Sequence, residues 1–382
     1  MKKHFWESAA ALAMSAAMLA GCSGTTGDTV KIGLNFELSG SVADYGTKEL
    51  KGANIAIKQF NEREDKPFTV EAVEIDDKGQ PAESIAAITK LVEQDQVVGV
   101  VGPATSASSI ATYEFASSKS VPVISPSATQ VDAMMKADGE PYEYAWRICF
   151  EDSYQGKGMA EYAYNELGLR KVAIANEISD YGTGLASAFK DEFTALGGEI
   201  VDQTQYQSGD KDFASFITKI KGLDFDGIYI AGYYNEAAQI VKAAQADGID
   251  KPIIGADGLD SADFISQIGT SAANNIYYTT AYTAIDPSDE LQKFIDDYKA
   301  EYDEDPSMFA ALAYDATNLL LSNLEASGAT GADLNEAIKK ADFSGITGSF
   351  SFDEKTHTPV KSVLVVELVD GVQSNVKEVK AE

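Results

Sequence analysis

Short apolar runs typical of buried strands alternate with amphipathic helical patterns along most of the chain. Each strand–helix unit takes about 25 to 35 residues, which is the period of βα repeats in a parallel sheet. The units form two series, one up to Ile124 and one from Gly156 to Gly255. The sequence therefore predicts an α/β protein of two doubly wound, Rossmann-like lobes. The expected strands are Val30–Asn35, Phe68–Ile75, Val97–Val101 and Val121–Ile124, then Lys171–Asn176, Glu199–Tyr206, Phe225–Ala231 and Pro252–Gly255.

The last part of the chain breaks this rhythm. A strand pattern at Ile276–Ala281 is followed by three helical patterns and then by short strands near the C terminus. A run of helices after two βα series predicts that the chain returns to complete the first lobe. We assign residues 30–147 and 281–355 to lobe I, and residues 148–280 and 356–382 to lobe II. Several short crossings in place of one linker form a multi-strand hinge, which suits closure of a cleft on a ligand.

The N-terminal residues resemble an export signal. A positive start precedes an apolar run from Ala9 to Ala20, which has the length of a secretory signal and is too short to cross a membrane. The run ends in LAGC, which is similar to a bacterial lipobox, in which cleavage leaves Cys22 as a lipid-bearing N terminus. We expect residues 1–21 to be removed, residues 22–29 to form a polar tether, and the protein to be anchored on the extracytoplasmic face of the bacterial cell membrane. The alternative is a coincidental cysteine in a plain signal peptide.

The charge balance narrows the choice of partners. Acidic residues outnumber basic ones by 60 to 30, and the formal net charge is −30. Nucleic-acid binding requires a basic surface, and broad docking on anionic lipid requires one as well. We therefore expect no nucleic-acid partner, and we interpret the acidity mainly as a contribution to solubility.

The sequence contains few of the groups that catalysis or metal binding needs. The mature chain has one histidine, His357, and besides Cys22 one cysteine, Cys149, which lies in an apolar run and is expected to be a buried structural thiol. We find no metal-ligand spacing, nucleophile elbow, P-loop or complete dinucleotide loop. We therefore expect no cofactor, no metal and no enzymatic activity, although paired carboxylates alone can support glycosidase-type chemistry.

Two hydroxyl-rich loops follow neighbouring strands of the first series. One contains Thr105 and Ser106, and the other contains the turn Ser127–Ala128–Thr129. The carboxyl ends of parallel strands face one crevice, where open α/β sheets bind ligands. Hydroxyls and main-chain N–H groups at a helix N terminus suit a small anionic group such as an α-carboxylate. The alternative is that both are ordinary serine-rich loops.

Aromatic residues and one carboxylate also follow strand ends. These are Tyr45, Tyr181, Tyr233 and Asp257. An aromatic wall suits an apolar side chain, and a carboxylate suits an ammonium group. Each tyrosine taken singly is more often a packing residue, and Asp257 is as well suited to cap a helix at residues 258–268. Their shared position after strands favours a ligand site.

These segments together resemble the leucine/isoleucine/valine-binding proteins of ABC importers, which have the type I periplasmic-binding fold. The resemblance covers nearly all of residues 30–370. The matching segments are LSGSVADYG (38–46), DDKGQPAES (76–84), VGPATSASS (101–109), VPVISPSAT (121–129), ISDYGTGLA (178–186), IAGYYNEAAQIVKAAQADG (230–248) and IGADG (254–258).

The resemblance implies a role for each candidate residue. Ser106 and Thr129 would bind the ligand α-carboxylate, helped by main-chain groups of the Ser127–Thr129 turn. Asp257 would pair with the α-ammonium group. Tyr181 and Tyr233 would close from the second lobe, and Tyr45 would form part of the side-chain pocket. Family members that bind aliphatic amino acids often have Glu at the position of Asp257, so the identity of the ligand stays open.

The resemblance thus implies a monomeric solute-binding lipoprotein that delivers a small amino acid, with branched-chain amino acids as the leading candidates, to the permease subunits of an ABC importer. One alternative is the same fold with an amide, urea, a short peptide or an aromatic acid as ligand. Another is a ligand-sensing module for a membrane partner.

Overall fold

The computed structural model describes residues 29–379. The expected signal peptide and Cys22 lie outside the described residues. The described residues form two lobes, each built on a mainly parallel sheet with helices on its faces. Among residues 29–379, no helix combines the length and the apolar character that a membrane span requires.

The sheet of lobe I has five parallel strands in the order β2-β1-β3-β4-β5. They are β1 (Thr29–Phe36), β2 (Thr69–Asp76), β3 (Val100–Val101), β4 (Val123–Ser125) and β5 (Ala145–Arg147). The first four correspond to predicted strands, whereas β5 was not predicted. Only three residues of that apolar run pair with a neighbour, which is too few to show a strand pattern in the sequence.

Helices from both ends of the chain cover this sheet. They are α1 (Ala43–Glu62), α2 (Pro81–Glu93) and α3 (Ser106–Ser118) from the first series, and α9 (Asp289–Tyr302), α10 (Met308–Ser327) and α11 (Ala332–Lys339) from the later part. The contact between α1 and α10 is tight, because a Cβ atom at Gly52 would overlap the Ala310 carbonyl oxygen. The later helices thus return to the first sheet, as their run in the sequence predicts. A hairpin of β11 (Asp342–Gly345) and β12 (Gly348–Ser351) follows them.

The sheet of lobe II has seven strands in the order β14-β13-β10-β9-β8-β6-β7. The parallel strands are β6 (Lys171–Glu177), β7 (Glu199–Tyr206), β8 (Gly227–Ala231), β9 (Ile253–Gly255) and β10 (Ile276–Thr280). Strand β8 is buried along its whole length, as expected for a parallel strand covered on both faces. The antiparallel pair of β13 (Val363–Val369) and β14 (Val372–Val379) extends the sheet beyond β10 and accounts for strands expected near the C terminus.

The helices of lobe II are α4 (Asp152–Asn165), α5 (Asp180–Ala195), α6 (Ala214–Lys221), α7 (Tyr234–Ala246) and α8 (Ala262–Ile268). Two of them begin at serine caps: Ser179 Oγ accepts a hydrogen bond from Gly182 N, and Ser261 Oγ accepts one from Phe264 N. The helix expected at residues 258–268 therefore begins four residues later, and Ser261, not Asp257, caps it.

Candidate functional site

A small cavity lies between the two lobes, at the carboxyl ends of their strands. Its volume is about 10 Å³, about the space that one water molecule needs. All predicted site residues line it except Ala128 and Thr129, which lie in the adjoining turn. Its lining residues are Tyr45, Ala104, Thr105, Ser106, Ser127, Tyr181, Tyr233, Asp257, Gly258 and Phe309.

Most of these residues lie at helix N termini. Tyr45 and Tyr181 lie in the first turns of α1 and α5, Ser106 is the first residue of α3, and Tyr233 immediately precedes α7. The unpaired N–H groups of a first turn and the helix dipole favour negative charge. The N termini of α1 and α3 therefore suit an anion on the lobe I side of the cavity, whereas those of α5 and α7 lie on the lobe II side, where Asp257 supplies the negative charge.

The hydroxyls of lobe I differ in their availability to a ligand. The Thr105 hydroxyl donates to Glu37 Oε1 at 2.8 Å, and the Ser127 hydroxyl contacts Glu49 Oε1 and the Ala104 carbonyl. By contrast, Ser106 Oγ only accepts a hydrogen bond, from Gln130 N at 3.2 Å, and buried Thr129 Oγ1 has no hydrogen-bond partner. Of the four predicted hydroxyl residues, Ser106 and Thr129 are thus the two whose O–H group has no hydrogen-bond acceptor at normal distance. The Thr129 hydroxyl lies close enough to Asp152 to lower the pKa of that carboxyl group, against the effect of burial.

Glu37 holds the loop before α3 in place. Its two carboxyl oxygens accept hydrogen bonds from the backbone N–H groups of Ala104 and Thr105 at 3.0 and 2.9 Å. Burial and the nearby Asp77 carboxylate raise the pKa of Glu37 to about 7, although these hydrogen bonds oppose the shift. The loop leaves β3 through Gly102, whose φ of 94° is open mainly to glycine and where a Cβ atom would overlap the Asn35 carbonyl oxygen.

Ala128 contributes only backbone groups, and both are engaged within the protein. Its N–H group donates to Ser125 Oγ at 3.0 Å, and its carbonyl accepts from Arg147 Nη1 at 3.1 Å. The guanidinium of Arg147 also donates to the Gln130 carbonyl and to Thr358 Oγ1. The turn at residues 127–129 is therefore fixed from behind by a buried arginine.

Asp257 is the carboxylate of the lobe II side. It follows β9 and begins a short 3-10 turn, Asp257–Leu259. Its Oδ1 accepts hydrogen bonds from Tyr181 Oη at 2.7 Å and from Gln155 Nε2 at 3.0 Å. Burial raises the pKa of Asp257 to about 6, and the two hydrogen bonds limit the increase. Asp257 is therefore mostly ionised at neutral pH and able to pair with a cation.

Two residues that the sequence did not reveal support Asp257. Gln155 donates through Nε2 to both Asp152 and Asp257, while its Oε1 accepts from Thr279 Oγ1 at 2.7 Å. Asp152 is fully buried, and one of its carboxyl oxygens has no hydrogen-bond partner. Burial and the charge of Asp257 raise its pKa well above the usual range. Both residues follow β5, so recognition of that strand would have given the same positional signal as for the other candidates.

Aromatic rings form the remaining wall. The rings of Tyr181 and Tyr233 stack in parallel with their centroids 4.9 Å apart, and Tyr45 stacks on Phe309 at 4.3 Å. Phe309 was not predicted, because it belongs to α10, a helix apolar on nearly all sides that is typical of a core element. The wall provides a flat apolar surface for a hydrocarbon side chain.

Hydrogen bonds also join the lobes around the cavity. Tyr45 Oη donates to the Gly258 carbonyl at 2.6 Å, Ser261 Oγ donates to Asp44 Oδ2 at 2.6 Å, and Asn235 Nδ2 donates to the Ser41 carbonyl at 2.6 Å. The cavity is therefore enclosed by contacts from both lobes.

Cys149 and His357, the cysteine and histidine of the described residues, do not line this cavity. Cys149 is buried, as expected, and burial raises the pKa of its thiol to about 12. His357 stacks on Trp146 with centroids 3.9 Å apart, and burial lowers its pKa. Within residues 29–379, no group of three or more His, Cys, Asp or Glu residues has an arrangement that holds a metal ion.

Known proteins resemble this chain in sequence over most of its length. A family model described as periplasmic binding protein matches residues 29–373. A Leu/Ile/Val-binding protein of Rhizobium johnstonii is 31% identical over 82% of this chain and 83% of its own length. A leucine-, isoleucine-, valine-, threonine- and alanine-binding protein of Pseudomonas aeruginosa is 27% identical over 86% of this chain and 87% of its own.

Two solved structures have a similar fold. The branched-chain amino acid transporter substrate binding protein LivJ from Streptococcus pneumoniae, in complex with isoleucine, aligns with a TM-score of 0.87 and 40% identity over 93% of this chain and 100% of that one. A solute binding protein of an ABC transporter from R. palustris, in complex with benzoate, aligns with a TM-score of 0.82 and 25% identity over 93% of this chain and 98% of that one.

Proposed function

We propose, from the premise that the chain belongs to the periplasmic binding protein family, that it captures a branched-chain amino acid for an ABC importer. It is a solute-binding protein and not an enzyme. The observation that supports this choice of ligand is the set of groups that line one cavity. The free hydroxyl of Ser106 lies on one side at a helix N terminus, an ionised carboxylate lies on the other, and an aromatic wall lies beside them. These are the complements of an α-carboxylate, an α-ammonium group and an apolar side chain.

We propose that lobe I holds the carboxylate end of the ligand. Ser106 and Thr129 have the free hydroxyl donors, and the N terminus of α3 supplies N–H groups and a favourable dipole. Thr105, Ser127 and Ala128 act indirectly, because their hydroxyl or backbone groups already bind Glu37, Glu49, Ser125 and Arg147.

Lobe II then holds the ammonium end. Asp257 supplies the charge, while Tyr181 and Gln155 hold its carboxylate in place. The side chain of the ligand would lie against Tyr45, Phe309 and Tyr233. Because residues of both lobes contact one small molecule, ligand binding would favour the closed arrangement.

We propose that the partner is the membrane permease of the importer and that a single chain carries out the delivery. We also propose that the chain moves as two lobes. Lobe I consists of residues 30–147 and 281–355, and lobe II consists of residues 148–280 and 356–382. A lipid on Cys22 would keep the protein at the membrane, and metabolic labelling with a fatty acid should mark the natural chain and not the Cys22→Ala variant.

Titration calorimetry on protein freed of bound ligand tests the choice of solute. Leucine, isoleucine and valine should bind, and benzoate should not, because it has no ammonium group to pair with buried Asp257. Failure of all three amino acids to bind would overturn the proposal. Benzoate binding as tight as that of leucine would instead favour an aromatic acid as ligand.

A further inference from the structure

A hydrogen-bond chain lies beneath the floor of the cavity in lobe I. Ser127 Oγ lies 2.5 Å from Glu49 Oε1 and 3.0 Å from the Ala104 carbonyl oxygen. A serine hydroxyl has one proton to donate. If Glu49 were ionised, both neighbours would be acceptors and only one of the two contacts would be a hydrogen bond. Both are hydrogen bonds when Glu49 donates to Ser127 and Ser127 donates to the Ala104 carbonyl.

The surroundings of Glu49 lead to the same assignment. Its side chain is fully buried, and its second oxygen, Oε2, has no hydrogen-bond partner. A buried carboxylate with a bare oxygen is costly, whereas a neutral carboxyl group tolerates it better. Glu49 therefore fits its site as a carboxylic acid.

The hydrogen bonds of the neighbouring acids, Glu37 and Asp77, indicate that Glu49 is the neutral group of the three. Glu37 accepts hydrogen bonds on both oxygens, and Asp77 accepts from Gly79 N at 3.0 Å and from Ser84 Oγ at 2.8 Å. These contacts place the two groups as hydrogen-bond acceptors, whereas the contacts of Glu49 place it as a donor. Burial and the charges of Glu37 and Asp77 hold the pKa of Glu49 well above its usual range, against the single opposing contact of Ser127.

We propose that Glu49 is a protonated positioning residue of the ligand site, whose proton holds Ser127 between the loop at residues 104–106 and the turn at residues 127–129. The two segments carry Ser106 and Thr129, so this bond fixes the spacing of the two free hydroxyl donors. It also keeps a negative charge away from the place of the ligand carboxylate. The ligand role rests on the proposed function, whereas the protonation state does not.

The protonation state is tested by the pH dependence of stability. An unfolded glutamate has a pKa of about 4.3, so folding retains a proton that the unfolded chain has lost at higher pH. Stability gained from that proton decreases as the pH rises from the unfolded value towards the raised folded value. Glu49→Gln replaces the acid with a neutral group of the same shape and removes this dependence.

Denaturant unfolding between about pH 5.5 and pH 8 should therefore show that the natural protein becomes progressively less stable than the Glu49→Gln variant as the pH rises. The unfolding constant of the natural protein should rise relative to that of Glu49→Gln about tenfold per pH unit. Glu62→Gln, which removes an exposed acid from the same helix, is the matched control and should show no such trend. A ratio that does not change with pH would show that Glu49 is ionised in the folded protein and would overturn the proposal.

The positioning role is tested by leucine binding. Glu49→Ala removes the donor to Ser127 and should weaken binding about tenfold, on the scale of one lost buried hydrogen bond, while Glu49→Gln should restore it. In a Ser127→Ala background, Glu49→Ala should add little, because the effect passes through Ser127. Equal losses in the Ala and Gln variants, or full additivity with Ser127→Ala, would contradict the role. If the natural protein binds none of the amino acids, the proposed function fails, while the stability series still decides the protonation state.

Discussion

At the scale of single residues, Asp257 combines two demands that oppose each other. Pairing with an ammonium group requires an ionised carboxylate, but complete burial favours the neutral acid. Hydrogen bonds from Tyr181 and Gln155 offset part of the burial, and the pKa is about 6. The charge of the site therefore changes within a pH range that is accessible to experiment.

This balance predicts a pH-dependent affinity. From about one pH unit above its pKa of about 6, Asp257 is almost fully ionised, and affinity for leucine should be constant with respect to this group. Below that pH the affinity should fall by up to tenfold per unit, because a proton must leave before the ammonium group binds. Calorimetric titrations between about pH 5 and pH 8 measure this. In Asp257→Asn, affinity for leucine should be lower by about one to two orders of magnitude at neutral pH. If the affinity of this variant still decreased with the same slope below about pH 6, another group would be the cause of the pH dependence.

The sequence revealed only part of this site, and the difference has a physical cause. Tyr181, Tyr233 and Asp257 follow strands of the regular series, so position alone predicts their convergence. Asp152 and Gln155 follow β5, whose three paired residues leave no recognisable pattern. Phe309 reaches the cavity only because α10 returns to lobe I, and residue spacing does not reveal which end of a buried helix faces a cleft.

At the scale of elements, the contact between α1 and α10 positions the aromatic wall. Tyr45 lies in the first turn of α1 and Phe309 in the first turn of α10, and their rings stack. Gly52 allows the two helices to approach, since any side chain there would meet the Ala310 carbonyl. The run of helices in the sequence predicts that α10 returns to lobe I, but the closeness of this contact depends on packing that no local pattern shows.

Gly52→Ala should therefore separate α1 from α10. We expect a loss of stability of about 1–3 kcal/mol, which is typical of overpacking. We also expect weaker leucine binding, because the rings of Tyr45 and Phe309 would no longer stack. Denaturant unfolding and calorimetry measure the two effects. Gly222→Ala is the control, since its Cβ atom would make only an ordinary contact with Lys219, at 3.5 Å. Unchanged stability in Gly52→Ala would show that the helices adjust without cost.

At the scale of the whole molecule, the enclosure of the cavity determines how a ligand enters. Hydrogen bonds join the lobes around the cavity, so we expect the lobes to move apart before a ligand enters and to close again around it. Arg147 lies at the end of β5, and its guanidinium donates to Thr358, between β12 and β13, as well as to the carbonyls of Ala128 and Gln130. One buried side chain thus binds both the turn at residues 127–129 and the segment that leads into β13. We therefore expect the lobe I half of the site to stay intact when the lobes separate.

The closed arrangement also depends on bonds that never touch a ligand. Asn235 in lobe II donates to the Ser41 carbonyl in lobe I, and neither residue lines the cavity. Asn235→Ala should therefore shift the lobes towards the open arrangement and weaken leucine binding about twofold to tenfold, the value of one net hydrogen bond. Since the bond forms only after closure, stopped-flow measurements should show the change mainly in the dissociation rate. Gln267→Ala removes the bond that Asn235 accepts within lobe II and leaves the lobe-to-lobe bond in place, so an equal effect in that variant would assign the loss to lobe II itself and not to closure.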